Sequence, residues 1–362
     1  MNTKYTIVIA IVAIAILIGA IAAYTYSNSE PVILNGAGAS FPFPLLEEMM
    51  KDYENIKSNV QINYSPSGSG AGISALTDKL VDFAGSDAPL SASEAEKAPN
   101  TLHIPETIGS IAVTYNINGV SSGLKLTGQV VADIFQGKIT KWNDPAITKL
   151  NPDVTLPAET INVVRRSDSS GTTFIFTGYL SASSTSWKND IGQAKSVEWP
   201  TGTGSQGNTG VAQTVSTTTN SIGYVELAYA LRTRMTYAAI QNPSGNYVLP
   251  TLASTTAAAQ AKASTGLPAG NENWSNVNLL NANESNAYPI VGFSYLLVYK
   301  ELNTIPDMTQ ERATALVEFL WYIIHDGQNL ASQVDYAPLP PNVVTINSAT
   351  IQSITFDGKP VL

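Results

Sequence analysis

Residues 161–173 read INVVRRSDSSGTT. A β-branched run (161–166) gives way to a loop of Ser, Asp and Gly, and Gly171-Thr172-Thr173 then opens a stretch with apolar residues at helical spacing. Strand, polar loop and helix start thus follow within thirteen residues. The same device occurs twice upstream. PVIL (31–34) runs into Gly36 and Gly38, after which Leu45, Leu46, Met49, Met50 and Tyr53 recur at helical spacing. VQINY (60–64) runs into a Gly/Ser loop and then a helical pattern carrying Ile73, Leu76 and Leu80. Repeated strand–loop–helix units predict an α/β fold with mainly parallel sheets.

Further elements fit this plan. Thr127 caps a predicted helix buried through Val130, Val131, Ile134 and Phe135 and stopped by Gly137. IGSIAVTYN (108–116) and YPIVGFSYLLVY (288–299) read as long strands, and Leu316, Phe319, Leu320, Ile323 and Ile324 as one face of a late helix closed by Gly327. Residues 199–225 carry no charge and are rich in Gly, Thr and Ser, so they read as loop-rich surface, with a strand-then-helix pattern returning at 221–230; residues 244–271 look equally irregular.

The whole chain has 362 residues, 44% hydrophobic and only 13% charged, with a net charge of -9. Apolar content on this scale builds large cores, and the acidic balance argues against a nucleic-acid binder. The cysteine count is 0, which removes thiolate metal sites, thiol catalysis, disulfides and a lipidated N-terminal Cys. Of the 2 histidines, His103 in TLHIP reads as a surface or turn residue, and His325, at the end of the late helix, as a partner of the helix dipole.

Residues 6–23, TIVIAIVAIAILIGAIAA, form a charge-free apolar stretch preceded by Lys4. This reads as a signal or membrane anchor (1–30 with its spacer) that leaves the body of the chain outside the cytoplasm; Ala20-Ile21-Ala22 offers a cleavage site. The N-x-S/T sites at Asn63, Asn273 and Asn283 would permit glycosylation there.

Each of the three loops can seat an anion. A helix N-terminus presents unpaired N–H groups and a partial positive charge, glycine permits close backbone approach, and Ser and Thr add neutral donors. Arg166 contributes a formal charge and a planar fork suited to an oxyanion. Competing readings are incomplete. GSGAG (68–72), with Asp87 nineteen residues after Gly68, overlaps a dinucleotide fingerprint, but Ile73 stands where its third Gly belongs; a P-loop would need a Lys after the glycines. Ser170 as a nucleophile would need a base, and His is nearly absent.

The stretches GAGASFPFPLL (36–46), GSGAGI (68–73), VDFAGSDAPLS (81–91), DIFQGKITKWNDPAI (133–147), VVRRSDSSGTTFIFTGYLS (163–181) and SIGYVELAYA (221–230) closely resemble, in content and order, the phosphate-binding (PstS) family of high-affinity phosphate ABC importers. The resemblance runs from about residue 31 to the C-terminus. It implies a two-lobed type II periplasmic-binding-protein fold with a hinge, inorganic phosphate as ligand, and membrane permease and ATPase subunits as partners. It further implies a monomer that works without cofactor or metal and is not an enzyme. By the same resemblance the phosphate-binding residues are Ser40, Phe41, Ser69, Asp87, Arg166, Ser170, Gly171 and Thr172, with Asp168 supporting Arg166; Ser40 stands where the family usually has Thr. If the two long strands are the crossovers, one lobe holds 31–113 plus 291–362 and the other 114–290. The alternatives are a receptor for another tetrahedral oxyanion and an extracellular phosphatase-type hydrolase. Asp87 fits an anion pocket only if the ligand carries a proton. An ionised carboxylate accepts but cannot donate, and phosphate keeps a P–O–H near neutral pH where sulfate does not.

Overall fold

A computed structural model describes residues 31–263 and 266–362; the apolar 6–23 segment lies outside them. Among the described residues no helix is long and apolar enough to cross a membrane. Fourteen elements carry the architecture. They are β1 (Val32–Gly38), α1 (Phe43–Ile56), β2 (Val60–Ser65), α2 (Ser69–Thr77), β3 (Phe83–Ser86), β4 (Thr101–Asn116), β5 (Asn162–Arg166), α3 (Gly171–Ser183), β6 (Thr203–Ser205), α4 (Gly207–Thr217), β7 (Ser221–Glu226), α5 (Leu227–Arg232), β8 (Val291–Tyr299) and α6 (Gln310–Ile324).

The strands join one sheet in the order β2-β1-β3-β8-β4-β7-β5-β6, and Thr236–Tyr237 adds to β4. β1 pairs in parallel with β2 and β3, and β5 with β6 and β7. The centre is antiparallel: β8 with β3 and β4, and β4 with β7. The sheet is therefore mixed rather than mainly parallel. β4 is the seam. Its Thr101–Ser110 part pairs with β8 and its Ile111–Asn116 part with β7. Both β4 and β8 are buried along almost their whole length, as expected for long uninterrupted apolar strands covered on both faces.

Expected caps are present. Thr127 Oγ1 accepts from Val130 N at 3.2 Å, and Ser170 Oγ accepts from Thr173 N at 3.1 Å to start α3. Gly137 has the positive φ (73°) that ends the Gly128–Phe135 helix.

Besides the sheet's mixed direction, four expectations are corrected. Residues 207–217 form α4 and bury Val211, Ala212 and Val215, so the charge-free 199–225 stretch is not loop-rich surface. Within the irregular-looking 244–271 stretch, Leu252–Lys262 is a helix, its small residues Ala258 and Ala259 packing closely. Leu80 lies beyond the end of α2 and is exposed. His103 is buried within β4: its Nε2 accepts from Leu90 N at 3.1 Å, and its ring meets Tyr295 edge-on. Burial pushes the imidazole down to about 4, so it is neutral. Pro105, within the same strand, cannot donate to the ladder. A bulge opposite Ser294 and Tyr295 accommodates that region. His325 caps α6 as expected, with Nδ1 3.0 Å from Trp321 O.

Candidate anion-binding site

The loops leaving β1, β2, β3, β5 and β6 converge at the carboxyl ends of these parallel strands, where open α/β sheets leave a crevice. Ser40 and Phe41 come from the first, Ser69 from the second and Asp87 from the third; Arg166, Asp168, Ser170, Gly171 and Thr172 come from the fourth. The structure brings all of these predicted residues together. Ser40, Phe41, Ser69, Asp87, Arg166, Ser170 and Thr172 are buried.

Backbone economy lets the loops meet. Gly38 has φ +144°, and a Cβ there would lie 2.1 Å from Gly85 O. A Cβ on Gly171 would lie 2.5 Å from Asp87 Cβ and 2.6 Å from Ser69 Oγ. Gly171 N instead donates to Ser69 Oγ at 3.0 Å, and Gly70 N donates to Ser169 O at 2.9 Å. The halves flanking β4 therefore touch directly.

Three tyrosines fix the first loop: Tyr64, Tyr229 and Tyr336 donate to the carbonyls of Ala39, Ser40 and Phe41 at 2.9, 2.6 and 2.6 Å. Because a trans peptide sets N–H opposite C=O, pinning the Ser40 carbonyl also aims the Phe41 N–H.

Arg166 is the cation of the cluster. Its Nε and Nη2 grip Asp168 at 2.8 and 2.5 Å, and Nη1 donates to Thr172 Oγ1 at 3.2 Å. Asp168 also accepts from Gly207 N at 3.1 Å. Burial pushes the Asp168 carboxyl up, but the Arg166 pair outweighs it and leaves the group below its ordinary value. Since Asp168 offsets Arg166 and Asp87 adds another acid, the cluster presents aimed dipoles rather than net positive charge.

Asp87 is the acceptor among these donors. Ser294 Oγ lies 3.0 Å from Oδ1, and Thr172 Oγ1 lies 3.4 Å from Oδ2. Burial raises Asp87 to about 7, against the lowering effects of Ser294, Arg166 and Thr172.

The sequence reading missed six contributors, the three tyrosines together with Asn208, Glu106 and Ser294. Asn208, at the start of α4, donates through Nδ2 to Ser40 Oγ (3.0 Å) and Thr172 Oγ1 (3.2 Å), and through its N–H to Ser40 Oγ (3.2 Å). The signal was available, since GTGSQGN (202–208) is a fourth Gly/Ser loop opening a helix. Tyr229 stands inside a motif read for its strand-to-helix pattern and for the resemblance, with no role given to the tyrosine itself. Glu106 and Ser294 lie on β4 and β8, where no local pattern marks a polar residue as facing a site.

A PBP superfamily domain model matches residues 25–326. The phosphate-binding protein PstS of Xylella fastidiosa is 42% identical over 323 residues, covering 88% of this chain and 84% of its own. That of Methanocaldococcus jannaschii is 36% identical over 364 residues, covering 96% and 93%. The chain belongs to the PstS family. Among solved structures, a high affinity periplasmic phosphate-binding protein (PfluDING) bound with phosphate superposes with a TM-score of 0.67 at 21% identity, covering 91% of this chain and 100% of that one. At that identity the likeness speaks for the fold, and it agrees with the curled mixed sheet.

Proposed function

We propose that this PstS-family protein is an extracytoplasmic receptor that binds inorganic phosphate between two lobes and delivers it to the permease and ATPase subunits of an ABC importer. The observation that carries this is the convergence of one arginine, hydroxyl groups and helix-start N–H groups around the buried carboxylate of Asp87. Donors surround an oxyanion, and the Asp87 carboxylate accepts the hydrogen of its P–O–H. The lobes, 31–113 plus 291–362 and 114–290, would hinge where β4 changes partner and where β8 begins. An anion held by both favours the closed form because it binds that form more tightly. The apolar 6–23 segment either holds the receptor at the outer face of the membrane or directs its export and is cleaved, and the protein acts as a monomer without chemistry of its own.

The hydrolase alternative is not favoured by the side chains. Ser170 Oγ is occupied as the α3 cap; His103 accepts from Leu90 N, and His325 meets Trp321 O and Ser348 Oγ. Titration calorimetry of the purified protein, freed of ligand by unfolding and refolding, tests the proposal. Heat with phosphate, competition by arsenate and none with sulfate are expected; no heat with phosphate refutes it.

Closure gives a second test. A methyl group on Gly171 would collide with Asp87 Cβ across the lobe contact. Gly171→Ala is therefore expected to weaken phosphate binding at least ~10-fold, about 1.4 kcal/mol. The melting temperature of the ligand-free protein should stay within a few degrees of the parent, since the lobes can part slightly. Unchanged affinity would mean that phosphate binds without this contact.

A further inference from the structure

Ser294 stands between two carboxylates. Its Oγ is 3.0 Å from Asp87 Oδ1 and 3.1 Å from Glu106 Oε1, and all three residues are buried. A serine hydroxyl has one hydrogen to give, and an ionised carboxylate has none. Both contacts can be hydrogen bonds only if one of the two acids carries a proton. A buried oxygen pair without a hydrogen between its members is costly. Glu106 reaches this position through a backbone irregularity. Along the β4–β8 ladder Ser294 faces Thr107 and Tyr295 faces Pro105, which leaves Glu106 as the unpaired bulge residue. Bulges re-aim side chains beside functional sites.

We propose that Glu106 holds a proton in the closed protein and, through Ser294, keeps Asp87 an acceptor, making Glu106 and Ser294 the positioning pair behind discrimination between protonated and fully ionised oxyanions. The inference rests on the phosphate reading above. The hydrogens then run in one direction: Glu106 donates to Ser294 Oγ, Ser294 donates to Asp87 Oδ1, and Asp87 Oδ2 remains to accept from the ligand's P–O–H. Were Glu106 ionised instead, Ser294 would turn its hydrogen toward it. Asp87 would then lose a donor and gain a like charge nearby, and it would take up a proton. It would become a donor, suited to the wrong ligand.

The surrounding charges favour the first arrangement. Against burial, Arg166 from the end of β5 and Thr172 from the start of α3 stabilise the charged form of Asp87, with Asp168 opposing weakly. Glu106 feels burial first and then Ser294 and the charge of Asp87, and it rises to about 8 against about 7 for Asp87. Tyr64 from β2, Tyr229 from α5 and Tyr295 from β8 also face the pair. All three are held above their ordinary value by burial, so they are neutral.

The full-length protein is titrated with inorganic phosphate and with sulfate across the neutral pH range, as wild type and as Glu106→Ala, Glu106→Gln and Ser294→Ala. The amide of Gln is a permanent donor to Ser294, so Glu106→Gln is the rescue variant. Glu106→Ala and Ser294→Ala are expected to narrow the phosphate-over-sulfate ratio about tenfold, with Glu106→Gln returning it to within a few-fold of wild type and flattening its decline at alkaline pH. Difference infrared spectroscopy supplies a readout that mere packing would not move. With phosphate bound at neutral pH, the wild-type-minus-Glu106→Gln difference spectrum should show a protonated-carboxyl C=O band, and that band should shift in frequency in Ser294→Ala.

An unchanged ratio in both Ser294→Ala and Glu106→Ala overturns the inference, as does a narrowed ratio in Glu106→Gln equal to that in Glu106→Ala. If Glu106 variants do not fold, wild-type spectra lacking the band, or a band insensitive to Ser294→Ala, overturn it equally. Failure of the phosphate reading itself looks different, because then the wild type binds no phosphate.

Discussion

Arg166→Ala is expected to weaken phosphate binding by about 10³-fold, roughly 4 kcal/mol, the range seen when one partner of a buried, hydrogen-bonded charge pair is truncated. Arg166 is almost wholly buried and holds Asp168 with two N–H groups while a third reaches Thr172. Removing it takes away the formal positive charge and leaves Asp168 beside the ligand without its partner. Two carboxylates then face an anion. Arg166→Lys should recover little, since an ammonium cannot bind Asp168 in bidentate fashion and still reach the Thr172 side. The orphaned acid is separable from the lost cation: adding Asp168→Asn to Arg166→Ala should restore part of the affinity, about tenfold. Isothermal titration with phosphate measures all three variants. An Arg166→Ala protein within tenfold of the parent would show that neutral dipoles carry the site unaided.

That this residue could be singled out from the sequence reflects how local its chemistry is. Arg166, Asp168, Ser170, Gly171 and Thr172 sit within seven residues, on one strand end and one helix start. Local geometry, a strand end and a helix start two to six positions apart, marks the loop as a possible anion seat, and the role expected of each residue comes from the resemblance to the PstS family. The same holds for Ser40 and Ser69 after their glycines. Such loops also fix the fold class, because each implies a strand before and a helix after.

What stayed hidden depends on distant pairing. Whether the central strands run parallel or antiparallel is decided by which of them meet, and β8 joins β3 and β4 from far along the chain. A long apolar strand reads the same either way. Glu106 and Ser294 are likewise invisible locally: each is a single polar residue in a buried strand, and only the irregular register between those strands brings them to one hydroxyl distance. Asn208 belongs to a third kind of miss. Its loop has the same grammar as the other three, but the absence of charge and the wealth of Thr and Ser suggested exposed linker, and α4 buries itself through only a few small apolar residues.

Asp87→Asn should narrow the phosphate-over-sulfate ratio at least ~10-fold, about 1.4 kcal/mol. The side chain keeps its size, but its Nδ2 can now donate to a fully ionised oxygen, so sulfate gains a partner where the parent offered only repulsion. Phosphate loses the charge-assisted bond from its P–O–H and retains the other donors. The same substitution has a signature without any ligand. Asp87 titrates near 7 in the folded protein against 3.8 ordinarily, mainly because of burial. Between these values the folded state keeps a proton that the unfolded chain has released, so stability falls as pH rises through this window and levels off above it. Glu106, raised to about 8 by burial, acts in the same direction and extends the fall. Asp168, lowered by Arg166, contributes stability that disappears only at more acidic pH, below the ordinary carboxylate value. Ligand-free protein should therefore be less stable at pH above Asp87's titration than in mild acid, by on the order of a few kcal/mol, and melt at a correspondingly lower temperature. Asp87→Asn should flatten that slope, because an amide releases no proton. Thermal unfolding in phosphate-free buffer across this range decides the matter. An equal slope in parent and variant, together with an unchanged anion ratio, would mean that Asp87 neither holds a shifted proton nor reads the one on the ligand.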